Sequence, residues 1–333
     1  ALIGITAANL ATRRAAATAA GFTGLFAYAS TVVSGWGLGK VVDLYGWNVQ
    51  VDFAPTAAEL ADFLYGWSAP VEVIEAQLAK MEDVAHAHGF YFLKGRQSLA
   101  EMRKEHAHLT QKLWKKVRQC GWMLSLCPFV KMVAVCNSLA YENVKPESDI
   151  DLFVVTKTGH LATARFFMKV LTQIFGVRVH HNKIAGRFCL SFFVSESAMN
   201  LEKLAHDFDP HLAYFVATMR PVCGEETYVE FLRVNNEWIS RYFKRPLKPK
   251  LEYLQRHPIV GVFSRVLESI LSIFGSVIEP FLGKHQGKKD TERKKMFPNS
   301  KGIVTNKDVF KFHENDPREE IAQDFEQRLN PKT

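Results

Sequence analysis

The chain has 333 residues, 47% of them hydrophobic and 23% charged, which predicts two or three folded domains and excludes wholesale disorder. Its formal charge of +8 favours polyanions, but much of the excess lies in two runs, at 244–250 and 284–295, that read first as solvated linker. Five cysteines without a CxxC pair exclude a disulfide framework and a zinc finger, and predict a reducing, cytoplasmic setting.

Residues 15–39 carry no charge and consist of Ala, Gly, Thr and Ser interspersed with Phe22, Phe26, Tyr28 and Trp36. A stretch of that length can span a bilayer, and its small residues suit close helix packing within a membrane bundle. The run RRAAATAAGFTGLFAYASTVVSGWGLGKVVDLYGW at 13–47 resembles one helix and its flanks from the organophosphate/phosphate antiporters of the major facilitator superfamily. One such helix cannot form a pathway, so residues 1–50 read as a transporter-derived fragment, a membrane tether or an alanine-rich soluble helix. If 15–39 is a genuine span, the chain is membrane-associated, and only through this segment.

Soluble signals follow. Thr56 with Glu59 three residues on predicts a capping box, and Pro70 opens a helix with Val71, Ile74, Leu78 and Met81 on one face. GFYFLKG at 89–95 alternates like a hairpin arm. Helix, helix, hairpin is the order of a winged-helix-like module over 51–96. Its second helix is acidic, with Glu72 and Glu75, which favours a structural or protein-docking role over phosphate contact. Residues 96–126 read as one long helix.

Strands are predicted at 130–136, 150–156 and 188–194, with a helix over 161–175. The fold class is α/β (α+β): a small mixed sheet core over 97–200, flanked by helices. Cys136 and Cys189 fall in apolar runs and read as inert core residues. A helical domain is expected over 201–283, with a break at 221–224. Within it Arg265 and Glu268 interrupt an apolar helix pair, predicting a packed amphipathic helix rather than a span. Residues 284–333 read as a basic linker with a terminal strand and helix.

The chemistry centres on Asp149-Ile150-Asp151. Alternation along a strand puts both carboxylates on one face and Ile150 in the core. Two such charges repel unless a cation lies between them, and an oxygen-only pair suits Mg²⁺ or Mn²⁺ carrying substrate phosphates. Ser138 stands 11 positions before Asp149, just after a strand, where backbone N–H groups and a hydroxyl can grip phosphate.

Cys136-Asn137-Ser138-Leu139-Ala140 followed by Pro146-Glu147-Ser148-Asp149-Ile150-Asp151-Leu152 resembles the nucleotidyltransferase superfamily, with its DNA polymerase beta-like minimal fold. The run SLAYENVKPESDIDLFVVT, with GFYFLKGR, FCLSFF and KFHENDPREEI, is similar to a bacterial and archaeal branch of nucleotidyltransferase-domain proteins over about residues 51–330. The resemblance implies a nucleoside triphosphate as partner, Mg²⁺ or Mn²⁺ as cofactor, and Asp149 and Asp151 as metal-binding catalytic acids. Asn137 and Ser138 would bind nucleotide.

Two departures qualify the activity. The family's glycine is Asn137 here, the residue next most tolerant of the left-handed region. Active members take a third carboxylate from the next strand, where this chain has Ser191, leaving Glu196 at the strand's end as the candidate third acid. Lys183 and Arg187 flank that strand as candidate triphosphate contacts, with Arg165, Asn143 and Lys145 as weaker ones. His180 and His181, being neighbours, face opposite sides and cannot chelate together. The expected function is transfer of a nucleoside monophosphate to an acceptor hydroxyl that the sequence does not identify. The alternatives are a degenerate nucleotide-binding or regulatory domain and a membrane-associated protein derived from a transporter fragment.

Overall fold

Thr56 caps the first helix as its sequence requires. The Glu59 amide donates to the Thr56 hydroxyl at 3.2 Å, and the Thr56 amide donates back to the Glu59 carboxylate at 2.7 Å. The computed structural model describes residues 54–329 apart from 181–182, 256–257, 299, 301 and 315; the segment 1–50 lies outside the described residues. The described residues divide into two units, 54–104 with 327–329, and 105–326.

The first unit contains α1 (Ala57–Phe63), α2 (Val71–Leu78) and a hairpin of β1 (Val84–Ala87) and β2 (Phe90–Leu93). His88 and Gly89 turn the hairpin with φ of 56° and 85°, the doubly left-handed pair that a two-residue hairpin demands. The expected order of helix, helix, hairpin is therefore present. Buried Arg103 pairs with Glu59 at 2.5 Å. It lies on α3 (Ser98–Leu124), whose residues from Glu105 onward belong to the second unit.

The second unit runs through β3 (Val130–Val135), α4 (Asn137–Ala140), β4 (Ile150–Thr156), α5 (Leu161–Ile174) and β5 (Phe188–Ser195). Then come α6 (Pro210–Thr218), β6 (Arg220–Cys223), α7 (Glu225–Ile239), α8 (Pro258–Ile273) and α9 (Gly275–Lys295). The short strands β7 (Ile303–Thr305) and β8 (Val309–Phe312) precede α10 (Arg318–Leu329). Six strands form one mixed sheet in the order β6-β3-β4-β5-β8-β7. Among the strands of the described residues, β4 and β5 pair in parallel, with α5 as their crossover, and the other strand pairings are antiparallel.

Alternation along β4 sorts its side chains as the sequence predicts. Ile150, Leu152 and Val154 are fully buried in a cluster with Trp114, Val117, Leu161 and Met168. On the opposite face Phe153 meets Phe192 at 5.0 Å, Phe231 at 5.1 Å and Phe215 at 6.2 Å.

Three expectations for the C-terminal half change. The break at 221–224 is the edge strand β6, which pairs with β3. Gly224 follows it at φ 83°, where a Cβ would stand 2.7 Å from the Lys131 residue's neighbour Met132 Cα and collide with the Lys131 carbonyl. Residues 284–295 are no linker, since they complete α9. Residues 303–312 return to the sheet beside β5, so the core extends well past residue 200. That return is fixed by buried charges: Arg318 pairs with Asp209 at 2.8 Å and Asp316 at 2.9 Å, and Lys311 pairs with Asp316 at 3.1 Å.

Candidate metal and nucleotide site

The centre of the sheet places the acids. Asp149 immediately precedes β4, and Asp151 is its second residue. The Ile150 amide donates to the Arg187 carbonyl at 2.8 Å, which locks the start of β4 against β5. In that parallel ladder Asp151 lies opposite Cys189. The register shifts beyond this pair, as Phe153 is next matched with Phe192, so β5 bulges beside the acids.

Asp149, Asp151 and Cys189 each offer one ligand atom, and these atoms lie within 4.8 Å of one another. Burial and the neighbouring Asp151 raise the Asp149 carboxyl above its ordinary range. Burial raises Asp151 as well, opposed by a hydrogen bond from Asn137. Burial and the two carboxylates push the Cys189 thiol up. All three groups thus resist the deprotonated form alone, and a cation is the partner that would stabilise it.

Asn137 opens the loop between β3 and β4, and its φ is 55°. The left-handed turn survives because Asn tolerates that region. Its side-chain amide donates to Asp151 Oδ2 at 3.0 Å. Ser138 follows on α4, a single turn, so the loop offers a few backbone N–H groups rather than the dipole of a full helix. Cys136 is a buried core residue as expected, with its amide bound to the Asp151 carbonyl at 3.0 Å.

Other candidates are placed elsewhere or already engaged. Glu196 follows the far end of β5, where Ser195 pairs with Thr156, and its carboxylate accepts from the Thr158 amide at 3.4 Å. It stands at the opposite end of the strands from Asp149 and cannot serve as the third acid. Arg187 directs its guanidinium to the carbonyls of Gly176 and Arg178. Lys183 is exposed in a turn whose backbone closes on His180 at 2.9 Å, while His181 lies outside the described residues. Arg165 is buried in a two-pronged pair with Asp290 at 2.6 and 2.8 Å, over the Phe310 ring. Asn143 is buried and bonded to His106 at 2.8 Å. The Lys145 amide bonds the Ser148 hydroxyl at 2.9 Å and so shapes the loop before the acids.

Cys189 is the site residue that the apolar reading of FCLSFFV passed over. The sequence suggests Ser191 for the third-ligand place, but the register puts Cys189 opposite Asp151. The available signal was position: Cys189 is the second residue of its strand, as Asp151 is of β4.

Comparison with known proteins bears on a short segment. Over 47 residues, 14% of this chain, it is 52% identical to a probable hexose phosphate transport protein of Chlamydia pneumoniae. Over the same length it is 47% identical to the membrane sensor protein UhpC of Escherichia coli. The chain covers about a tenth of these relatives, 10% and 11% of their respective lengths, in keeping with the resemblance of residues 13–47. No family model and no solved structure matches the chain.

Proposed function

We propose that this chain carries a metal-dependent nucleotidyltransferase site that moves a nucleoside monophosphate from a nucleoside triphosphate to an acceptor hydroxyl. The observation that carries the reading is the convergence of Asp149 and Asp151 beside the left-handed turn at Asn137-Ser138. The donor set fits a small divalent ion, because two carboxylates lie together with only hydrogen bonds from Asn137 and Cys189 to offset their repulsion. Asp149 and Asp151 would hold Mg²⁺ or Mn²⁺, with Cys189 as third donor, and the ion would neutralise triphosphate charge and acidify the acceptor hydroxyl. Asn137 keeps one Asp151 oxygen oriented, and the turn it opens presents backbone N–H groups toward phosphate. A sulfur donor shifts preference away from Mg²⁺ toward softer divalent ions.

The second reading, a nucleotide-binding domain without transfer, rests on the thiol of Cys189 in the third-ligand place. A thiol raised by burial is a poor general base. Winged-helix character for the first unit, and a membrane role for the transporter-like segment, belong to the same proposal as accessory functions.

Thermal melts with MnCl₂ and ATP test the site. Ligand at a hundredfold excess over its dissociation constant should stabilise the native protein by about 2.7 kcal/mol. The Asp149→Asn/Asp151→Asn double variant should show no such shift; equal shifts in both proteins would remove the metal site. Pyrophosphate release with ATP then separates the two readings, being present for the transferase and absent for the binding domain.

A further inference from the structure

Helix α8 turns two polar side chains inward and several large apolar ones outward. Its buried residue Ser264 donates to the Cys127 carbonyl at 3.3 Å, and Glu268 turns inward to accept from the Phe129 amide at 2.7 Å. Ile259, Val262, Phe263, Val266 and Ile270 instead face outward and are exposed. The packed amphipathic helix expected from sequence thus packs through Ser264 and Glu268 beside half-buried Val260, Leu267 and Leu271, and leaves its largest apolar side chains to solvent together with Arg265 and Ser269.

Helix α9 continues the pattern after a bend of 91°. Phe274 at the bend, Val277 and Phe281 are 56%, 69% and 71% exposed. The spacing of three and four residues that links them runs on to Lys284 and Lys288, so one stripe is apolar at the elbow and basic beyond it. The acids of these helices are largely turned away from it. Glu279 accepts from the amides of Ala162 and Thr163, both at 2.8 Å, and Asp290 is held by Arg165.

We infer that the α8–α9 elbow is a docking surface for an anionic lipid bilayer. Apolar side chains at the bend enter the acyl boundary, while Lys284, Lys288 and Lys289 meet anionic headgroups. No single helix among the described residues is long and apolar enough to cross a membrane; the two arms pass that test only together, across their 91° bend, and the bend lets both lie along the interface. Charge favours this occupant: Glu268, Glu279 and Asp290 serve internal bonds, and exposed lysines continue the apolar stripe, with Glu292 the one exposed acid of these helices among the described residues. An angular apolar ridge also suits a fluid surface better than a rigid partner, which needs a matching notch.

Flotation of the full chain with phosphatidylcholine vesicles, with and without phosphatidylserine, tests the inference. The protein should float with the anionic vesicles and much less with the neutral ones. Ile273→Ser/Phe274→Ser/Val277→Ser should cut the bound fraction roughly tenfold or more, with an unchanged melt because these side chains are exposed. Lys284→Glu/Lys288→Glu/Lys289→Glu should weaken binding to anionic vesicles roughly tenfold or more while leaving the neutral ones unaffected. Residues 15–39 are present in every variant, so the ratio isolates the elbow. A serine variant that floats as well as the parent would overturn the inference. So would a parent that ignores vesicles and forms a dimer in sedimentation velocity that the serine variant dissolves, since the face would then belong to a second copy.

Discussion

At φ 55°, Asn137 occupies a region that costs a residue with a Cβ about 1 kcal/mol, less for Asn than for most. Its amide also bonds Asp151 Oδ2, one of the few contacts that stabilises the charged form of that buried acid. These two roles separate by substitution. Asn137→Ala loses both and should cost about 1–2 kcal/mol in a urea melt. Asn137→Gly keeps the turn but frees Asp151, so it should cost less than the alanine while weakening binding of ATP with Mn²⁺. A glycine variant that binds more tightly would mean that the Asn side chain merely obstructs phosphate, and that its bond to Asp151 has no part in holding ligand. Cys189 makes the complementary point about legibility. Asp149 and Asp151 announce themselves in sequence because charge in a strand is unusual, whereas Cys189 is chemically at home in an apolar strand. Only its register opposite Asp151, a long-range fact, gives it a place in the site.

Among the elements, α5 begins without a cap of its own. His160 precedes it and makes no side-chain capping bond, so the donors of the first turn depend on a distant residue. Glu279 on α9 supplies the acceptor for the amides of Ala162 and Thr163 and for the Thr163 hydroxyl at 2.6 Å. Glu279→Ala should therefore cost about 1–2 kcal/mol in a denaturant titration, as loss of an N-cap does, with an undiminished urea m-value. A cost of a few tenths would show that water replaces the carboxylate and that α9 is not part of the α5 start. The same dependence explains which elements were legible. Strands β3 and β4, helix α5 and the Thr56 box rest on local alternation, periodicity and capping, and the sequence predicts all of them. Strand β6 reads as a break because Pro221 and Gly224 bracket two apolar residues, and β8 reads as tail because its partner lies more than a hundred residues earlier. The start of α9 hides in the same way: Gly275 and Pro280 look like interruptions, and its basic second half looks like linker until Asp290 and Gln286 are seen to dock it on α5.

Across the second unit, the C-terminal return ties its stability to pH. Burial lowers His211 to about 3, from an ordinary 6.5, helped by the nearby Arg318. Burial and Lys311 lower His313 to about 4. For a base with a depressed folded pKa, the unfolded chain binds the extra proton first. The stability that these histidines contribute is full above about pH 6.5 and is lost as pH falls toward 4. Asp316 extends the loss to lower pH. Burial would raise it, but hydrogen bonds from Arg318 and the Lys311 charge hold it below 3.8, so its contribution disappears only under stronger acid. Asp149 acts in the opposite sense. Its raised pKa means that the metal-free fold keeps a proton that the unfolded chain has lost, so its contribution falls as pH rises through the mildly acidic range. The measurement that isolates the histidines is therefore a difference between two proteins that share the acid pair. Urea melts of the parent and of His313→Gln at pH 7, 5.5 and 4 should show a shallower acid loss in the variant, by an amount on the order of 1–3 kcal/mol at the lowest pH. Parallel losses in the two proteins would mean that His313 takes up its proton without unfolding the return, and that acid sensitivity starts instead with Asp316 and its pairing to Arg318.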